Sequence, residues 1–393
     1  MIGDVDGGAV VEGMSLWRSR GMQALVAVTV LGFASYCLTL ASLPVYAVTG
    51  GAAKSTAGVV TAVFLVATIA VQLAVPALTT RFGVGPVLVA GLLAMGLPSP
   101  FYVLDDGVEW ISALSAVRGA GFAVLTVLGA TLAAQVAPRE RRGESIGLYG
   151  LAIAVPNLIA VPSGVALVLA GHLGWLSWLA ASPVLGAFLV PRLIRSTAAQ
   201  PGPGPSGTRR AAVLAALAPS GVLFVVTLGG GGLVTFLPIE RPDGMLATVA
   251  LLLFGLTGAL TRWRAGLLAD RLSSRRLMPL ALVAAAVGMV LTAVGLWAGP
   301  VWVVLGSAVF GAGFGATQNL TLLAAFARAG EAGTTTASAM WNISFDAGTA
   351  VGALALGLLA AGVGLEWTYV VVAALLAAAV PLASAAARAA VHS

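Results

Sequence analysis

Residues 115–122 read SAVRGAGF, and residues 307–314 read SAVFGAGF. Seven of the eight letters agree, and the exception sets Arg118 against Phe310. Both copies lie inside long apolar runs. A duplicated apolar segment of this kind makes the chain two copies of one helical membrane unit. The single difference marks a charge that only the first copy carries. Further pairs extend the repeat at spacings close to 190 residues: Leu43-Pro44 with Leu237-Pro238, Arg81 with Arg271, Tyr149 with Trp341, and Thr126 with Gln318.

The composition agrees. Of 393 residues, 59% are hydrophobic and 9% charged, against roughly 25% charged in soluble domains. So few charges cannot cover a surface facing water, so the main solvent is a lipid bilayer. Cys37 is the only cysteine, which excludes internal disulfides and thiolate metal clusters. His172 and His392 are the only histidines, so neither a metal site nor histidine-based catalysis is supported. The net charge of +6 comes from arginines scattered between apolar runs. They form no basic stripe with aromatics, so nucleic acid is not an expected partner.

Apolar runs of spanning length cover roughly residues 22–48, 56–78, 84–104, 110–135, 145–170, 173–191, 212–238, 245–262, 277–299, 300–325, 334–362 and 367–387. The first is too long for a signal-peptide apolar region and no small-residue cleavage site follows at signal-peptide distance, so it reads as a spanning helix. The expected fold is all-α and integral to the membrane: twelve transmembrane helices in two pseudo-symmetric six-helix bundles. The bundles cover 1–195 and 211–393, and the Pro/Gly-rich segment 196–210 links them on the cytoplasmic side. With both termini cytoplasmic, the inside segments hold 17 of the 20 Lys and Arg residues, Lys54 and Arg241 fall outside, and Arg118 lies within a span.

Residues 266–276 read GLLADRLSSRR. They resemble the inner-loop motif G-x-x-x-D-R-x-G-R-R of the major facilitator superfamily, with Gly266, Asp270, Arg271 and Arg275 at the family spacing. Ser273 and Ser274 replace a glycine and an arginine, and Arg276 lies one place beyond. The resemblance implies a latch of helix ends on the cytoplasmic side, and Arg81 marks a degraded copy in the first half. Arg118-Gly119-Ala120-Gly121 resembles the family's intramembrane arginine motif, associated with proton coupling. The segments GAGFGATQN and WNISFDAGTAVGA (residues 311–319 and 341–353) resemble a bacterial efflux-type branch. The resemblance covers about residues 20–388. It implies a monomeric transporter in the bacterial cytoplasmic membrane, moving a small molecule by alternating access.

Charges inside a span are costly, about 2.5–3.5 kcal/mol each on insertion scales, so Arg118 and Asp346 stand out. Arg118 reads as a fixed positive charge facing a central cavity. Asn342, Asp346 and Thr349 share one helical face, which should meet protein or water and not lipid. Asp346 is the candidate proton-titrating group, because a carboxyl removed from water favours its neutral form. Gln318 and Asn319, with Tyr36 and Asn157, are further candidates for the pathway. The run Gly229, Gly230, Gly231 and Gly232 is expected to be a soft hinge, since each glycine costs roughly 1 kcal/mol of helix stability. No G-x-x-x-x-G-K-[ST] phosphate loop is present. No cofactor is therefore expected, and a proton gradient is the energy source. The expected function is proton-coupled export of a small amphipathic or apolar compound, with uptake of a small polar metabolite as the alternative. A membrane enzyme or sensor is the remote alternative, lacking clustered catalytic side chains and a soluble output domain respectively.

Overall fold

The computed structural model describes residues 16–52, 54–197, 207–240, 245–269, 271–272 and 274–388. Most of the expected linker and Asp270 of the latch motif lie outside these residues. The first half comprises α1 (Arg20–Thr49, broken at Ala41), α2 (Lys54–Phe82), α3 (Val84–Leu104, ending in a 3-10 turn), α4 (Val108–Val136), α5 (Arg142–Leu169) and α6 (Leu173–Arg195). The second comprises α7 (Gly207–Glu240), α8 (Met245–Ala269) and α9 (Ser274–Ala298), then one apolar stretch Pro300–Val363, then α12 (Leu365–Ala387).

Pro300–Val363 has 64 residues, a length of about 96 Å as one helix at 1.5 Å per residue. A hydrocarbon core is only about 30 Å thick. The stretch breaks at Gly330, where φ is 67° and ψ 178°, a backbone state that glycine reaches without a Cβ penalty. It therefore crosses twice, as α10 (300–329) and α11 (331–363). The expected split between α9 and α10 is also present: Gly299 takes φ 126° and Pro300 opens the next helix. The short sixth span is segmented, as Leu173–Leu179, Pro183–Ala187 and Val190–Arg195, with Pro183 and Pro191 each placed at a segment's start.

The duplicated octapeptide packs twice in the same way. A Cβ on Gly119 would lie 2.4 Å from the Phe64 carbonyl oxygen of α2, and one on Gly121 2.4 Å from that of Gly91 in α3. In the second half a Cβ on Gly311 would lie 2.3 Å from the Phe254 oxygen of α8, and one on Gly313 2.5 Å from that of Ala281 in α9. The glycines let α4 and α10 each seat against two neighbours at backbone contact. Because backbone cannot yield, Gly311→Val is expected to destabilise by about 1–3 kcal/mol through overpacking. Gly362→Ala, where a Cβ meets nothing within 4 Å, is the neutral control. Thermal unfolding in detergent reads both.

Arg18, Arg20, Arg81, Arg139 and Arg271 gather at one end of the bundle, here called the basic end. Toward the opposite end Trp175, Trp178, Trp297, Trp302 and Trp367 are exposed, as suits indole rings at a membrane–water boundary.

Candidate functional site

The halves meet through α2 and α4 against α11, and α5 against α8. On α11, Ser338 Oγ donates to the Val127 oxygen of α4 at 2.7 Å, and Asn342 Nδ2 lies 3.4 Å from the Thr126 oxygen. Two turns beyond Ser338, Asp346 Oδ2 accepts from Gln72 Nε2 of α2 at 2.9 Å. Gln72 is fully buried, and its amide nitrogen also lies 3.4 Å from Thr126 Oγ1. Asp346 is half-buried, so its carboxylate sits at the seam between the halves and not in lipid. Thr349, one turn on, donates back to the Phe345 oxygen at 2.9 Å.

The repeat relates Gln72 to Arg262, both 190 positions apart like Phe64 and Phe254. Arg262 Nη1 donates to Gln318 Oε1 at 2.8 Å, matching the approach of Gln72 to Thr126. Asn319 Nδ2 donates to the Arg262 carbonyl at 3.0 Å, and the guanidinium carbon stands 5.9 Å from the Trp341 ring centre. A Cβ on Gly150 of α5 would lie 2.4 Å from Arg262 Nε, so a larger residue there would have to displace the Arg262 side chain. Nearer the basic end a Cβ on Gly266 would lie 2.0 Å from the Gly143 oxygen. The first glycine of the inner-loop motif is thus a point of backbone contact between α8 and α5. Arg81, Arg271 and Arg276 are exposed, and the side chain of Arg275 lies outside the described residues.

Neither Gln72 nor Arg262 was among the residues expected from sequence. Arg262 read as a loop charge closing a span at 262, whereas α8 continues to Ala269 and buries it to 8% exposure. The signal available was their repeat spacing, with a polar residue at the same place in both halves.

Arg118 makes its hydrogen bonds within the first half. It is fully buried in the first half, where Nε donates to the Met95 oxygen (3.0 Å), Nη1 to Tyr102 Oη (3.3 Å), and Nη2 to Ser35 Oγ (2.9 Å) and the Ser35 oxygen (3.2 Å). It stands 5.5 Å from the Tyr102 ring centre. Backbone carbonyls on α1 and α3, free to accept a second bond, draw the guanidinium into the bundle. Phe310, its counterpart, is equally buried and stacks on Phe254, with centroids 5.5 Å apart. Arg118 also lines a pocket together with Tyr36, Thr39, Phe64 and Ser115, and Tyr36 stacks on Phe122 at 4.2 Å. Asn157 is exposed on α5 and donates to the Ile153 oxygen, apart from the other candidates.

The four-glycine run shows no bend in this conformation. Helix α7 passes through it unbroken. A Cβ would lie 2.9 Å from Val372 at Gly229, 2.6 Å from Phe314 at Gly230, 2.3 Å from the Thr349 oxygen at Gly231 and 2.4 Å from Leu356 at Gly232. Close packing on all sides accounts for the glycines without a bend.

At the basic end, Glu331 at the start of α11 accepts from Arg139 Nη2 at 2.5 Å and Nε at 3.1 Å, with Arg142 Nη2 at 3.5 Å. Residues 139 and 331 are repeat counterparts, so this ion pair straddles the pseudo-twofold axis. The Arg139 hydrogen bond and charge hold the Glu331 carboxyl below the usual carboxylate range. A contribution from a lowered pKa is present above the unfolded value and lost as pH falls through the folded one. Spin labels at Glu140→Cys and Ala332→Cys are therefore expected to stay close at neutral pH and to separate only in acid below the ordinary glutamate range. Both residues of the pair are solvent-exposed, so high salt should weaken it. Separation already at pH 7 in low salt would remove its role as a latch.

Residues 24–342 match the Major Facilitator Superfamily. The chain belongs to that superfamily. Its fold is shared with solved superfamily structures at low sequence identity. FucP in the outward conformation is similar with a TM-score of 0.77 and 14% identity, over 93% of this chain and 98% of that one. The human organic anion transporter MFSD10 (TETRAN) gives 0.71 and 15%, over 93% and 99%. The proton:xylose symporter XylE gives 0.69 and 14%, over 92% and 94%. No curated protein is significantly similar in sequence. The protein is thus a multi-pass membrane protein of a transporter family.

Proposed function

We propose that this protein is a secondary transporter of the bacterial cytoplasmic membrane. It exports a small amphipathic or apolar compound in exchange for protons, using no cofactor beyond the gradient. The observation that carries this reading is the Gln72–Asp346 hydrogen bond. It puts the one carboxylate of α11's polar face on the seam that must part when the halves rock. A proton taken up there changes the group that holds the seam, which is what coupling requires.

The basic end is the cytoplasmic side in this reading, because Arg-rich segments stay inside. The cross-seam bonds of Gln72, Ser338, Asn342 and Glu331 lie in the half of the molecule nearer that end. The conformation described is therefore closed to the cytoplasm. Arg118 braces α1, α3 and α4 as a rigid unit, and Tyr36, Phe314 and Phe345 supply partly exposed apolar walls. Few fixed charges on those walls favour a permissive apolar or amphipathic substrate over a sugar, which demands many hydrogen bonds.

Reconstituted vesicles test the reading. With a proton gradient imposed, candidate compounds should move against the direction of proton flow. Movement with the proton flow would make the protein a symporter, as the structurally similar XylE is by name. Proton movement independent of every compound tested would reject coupling.

A further inference from the structure

The internal repeat offers a comparison within one chain. On one side of the seam Gln72 reaches across to the carboxylate of Asp346. On the other, Arg262 occupies Gln72's place and faces α5 at Gly150. The residue related to Asp346 by the repeat, at a spacing of 192, is Ala154. It lies one turn from Gly150 on the same face of α5. The second side therefore has a stronger donor and no carboxylate at the place of Asp346.

Arg262 is 8% exposed, and its neighbours supply little compensation. Gln318 Oε1 takes Nη1, and Trp341 presents its ring. Nε has no hydrogen-bond partner among the described residues, and neither does Asn319 Oδ1 close by. No acidic side chain among the described residues is bonded to the guanidinium. Buried charges are ordinarily paired, since removing them from water is costly. A guanidinium fork fits a carboxylate better than any other common group.

We propose that Arg262 is the binding point for the carboxylate of a small amphipathic anion. That carboxylate would take the place that the Asp346 side chain fills in the other copy of the repeat. Access comes as α5 parts from α8, and for that motion the inference rests on the alternating-access reading given above. It narrows the substrate class from amphipathic or apolar compounds to amphipathic monoanions, with the apolar part lying toward Trp341 and Ala154.

The test uses full-length protein in neutral detergent at fixed ionic strength, read by thermal unfolding. A ligand that binds only the folded protein raises the midpoint as its concentration exceeds Kd. Sodium benzoate should raise it in a saturable way, and the neutral isostere benzamide should not. Arg262→Gln should weaken the benzoate response at least about tenfold in concentration, equivalent to about 1.4 kcal/mol. Arg262→Lys should keep part of it. Ala154→Asp should abolish it by supplying the carboxylate from within, and this variant decides the matter if Arg262→Gln does not fold. An undiminished benzoate response in Arg262→Gln or Ala154→Asp, or none in the unaltered protein, overturns the proposal. An equal response to chloride would assign the site to inorganic anions and overturn the organic-carboxylate assignment. Binding is read here without transport. A null result with benzoate therefore leaves proton-coupled export standing, and absence of transport leaves a benzoate site standing.

Discussion

Asp346→Asn is expected to abolish substrate-driven proton movement, down to the level of vesicles without protein, while exchange of substrate across the membrane continues. The variant keeps the shape of the side chain. Its amide oxygen can still accept from Gln72 Nε2, which lies 2.9 Å from Asp346 Oδ2, so the seam closes as before. What it loses is the ability to gain and release a proton. Two functions that coincide in the carboxylate are thereby separated. Gln72→Leu gives the complementary result. It removes the hydrogen bond across the seam, a loss of about 1–3 kcal/mol depending on the charge of the acid, and leaves the acid in place. Proton coupling should survive in Gln72→Leu with altered rates. A pH-sensitive dye trapped inside vesicles reads both variants. Full proton movement in Asp346→Asn would place the titrating group elsewhere.

Arg118→Phe should be the most destabilising single change in the spans. It installs the residue that the second half has at the equivalent place. Phe310 succeeds there because Phe254 and Phe314 provide aromatic partners at 5.5 and 5.9 Å. At position 118 a phenylalanine would meet the Ser35 and Met95 carbonyls, the Tyr102 hydroxyl and Ser35 Oγ, all now served by the guanidinium. Hydrogen bonds to a charged group are worth about 1.5–3 kcal/mol each. Losing several at once should cost roughly 3–5 kcal/mol, as when one partner of a buried charged pair is removed. Arg118→Lys should recover only part, since an ammonium cannot span all four acceptors in the plane of a fork. Thermal unfolding in detergent measures the order unaltered protein, then Lys, then Phe. Unchanged stability in Arg118→Phe would mean that Arg118 serves the transport path and not the scaffold.

The duplicated octapeptide carried the fold because its glycines are where helix backbones touch. Gly119 and Gly311 meet Phe64 and Phe254, themselves repeat partners. A pattern set by such contacts survives in sequence, and the apolar runs then supply the crossings. The site was less legible. Arg118 was found, but two of its four acceptors are backbone oxygens, which no side-chain pattern reveals. Asp346 was found as the polar centre of its helical face, while its partner Gln72 looked like any amide in an apolar run. Arg262 was misplaced because arginines normally close a span. Here Gln318 and Trp341 of its own half cover it together with Gly150 of the other, and the cover is complete only once the two halves are assembled. The packing of the glycine run in α7 was not legible either. Helix propensity is local, whereas Phe314, Thr349, Leu356 and Val372 press on those positions from neighbouring helices.

The most direct measurement is a pair of distances taken on opposite ends of the molecule. Arg81 and Arg271 are exposed repeat counterparts at the basic end, and Trp110 and Trp302 are exposed counterparts at the other. The only native cysteine, Cys37, is buried and can be replaced by serine. Spin labels at 81 and 271 report one end, and labels at 110 and 302 the other. Two halves rocking about a shared seam predict opposite changes: when acid or substrate lengthens the first distance, the second shortens. Distances that lengthen together, or an end that never moves while transport proceeds, would contradict it.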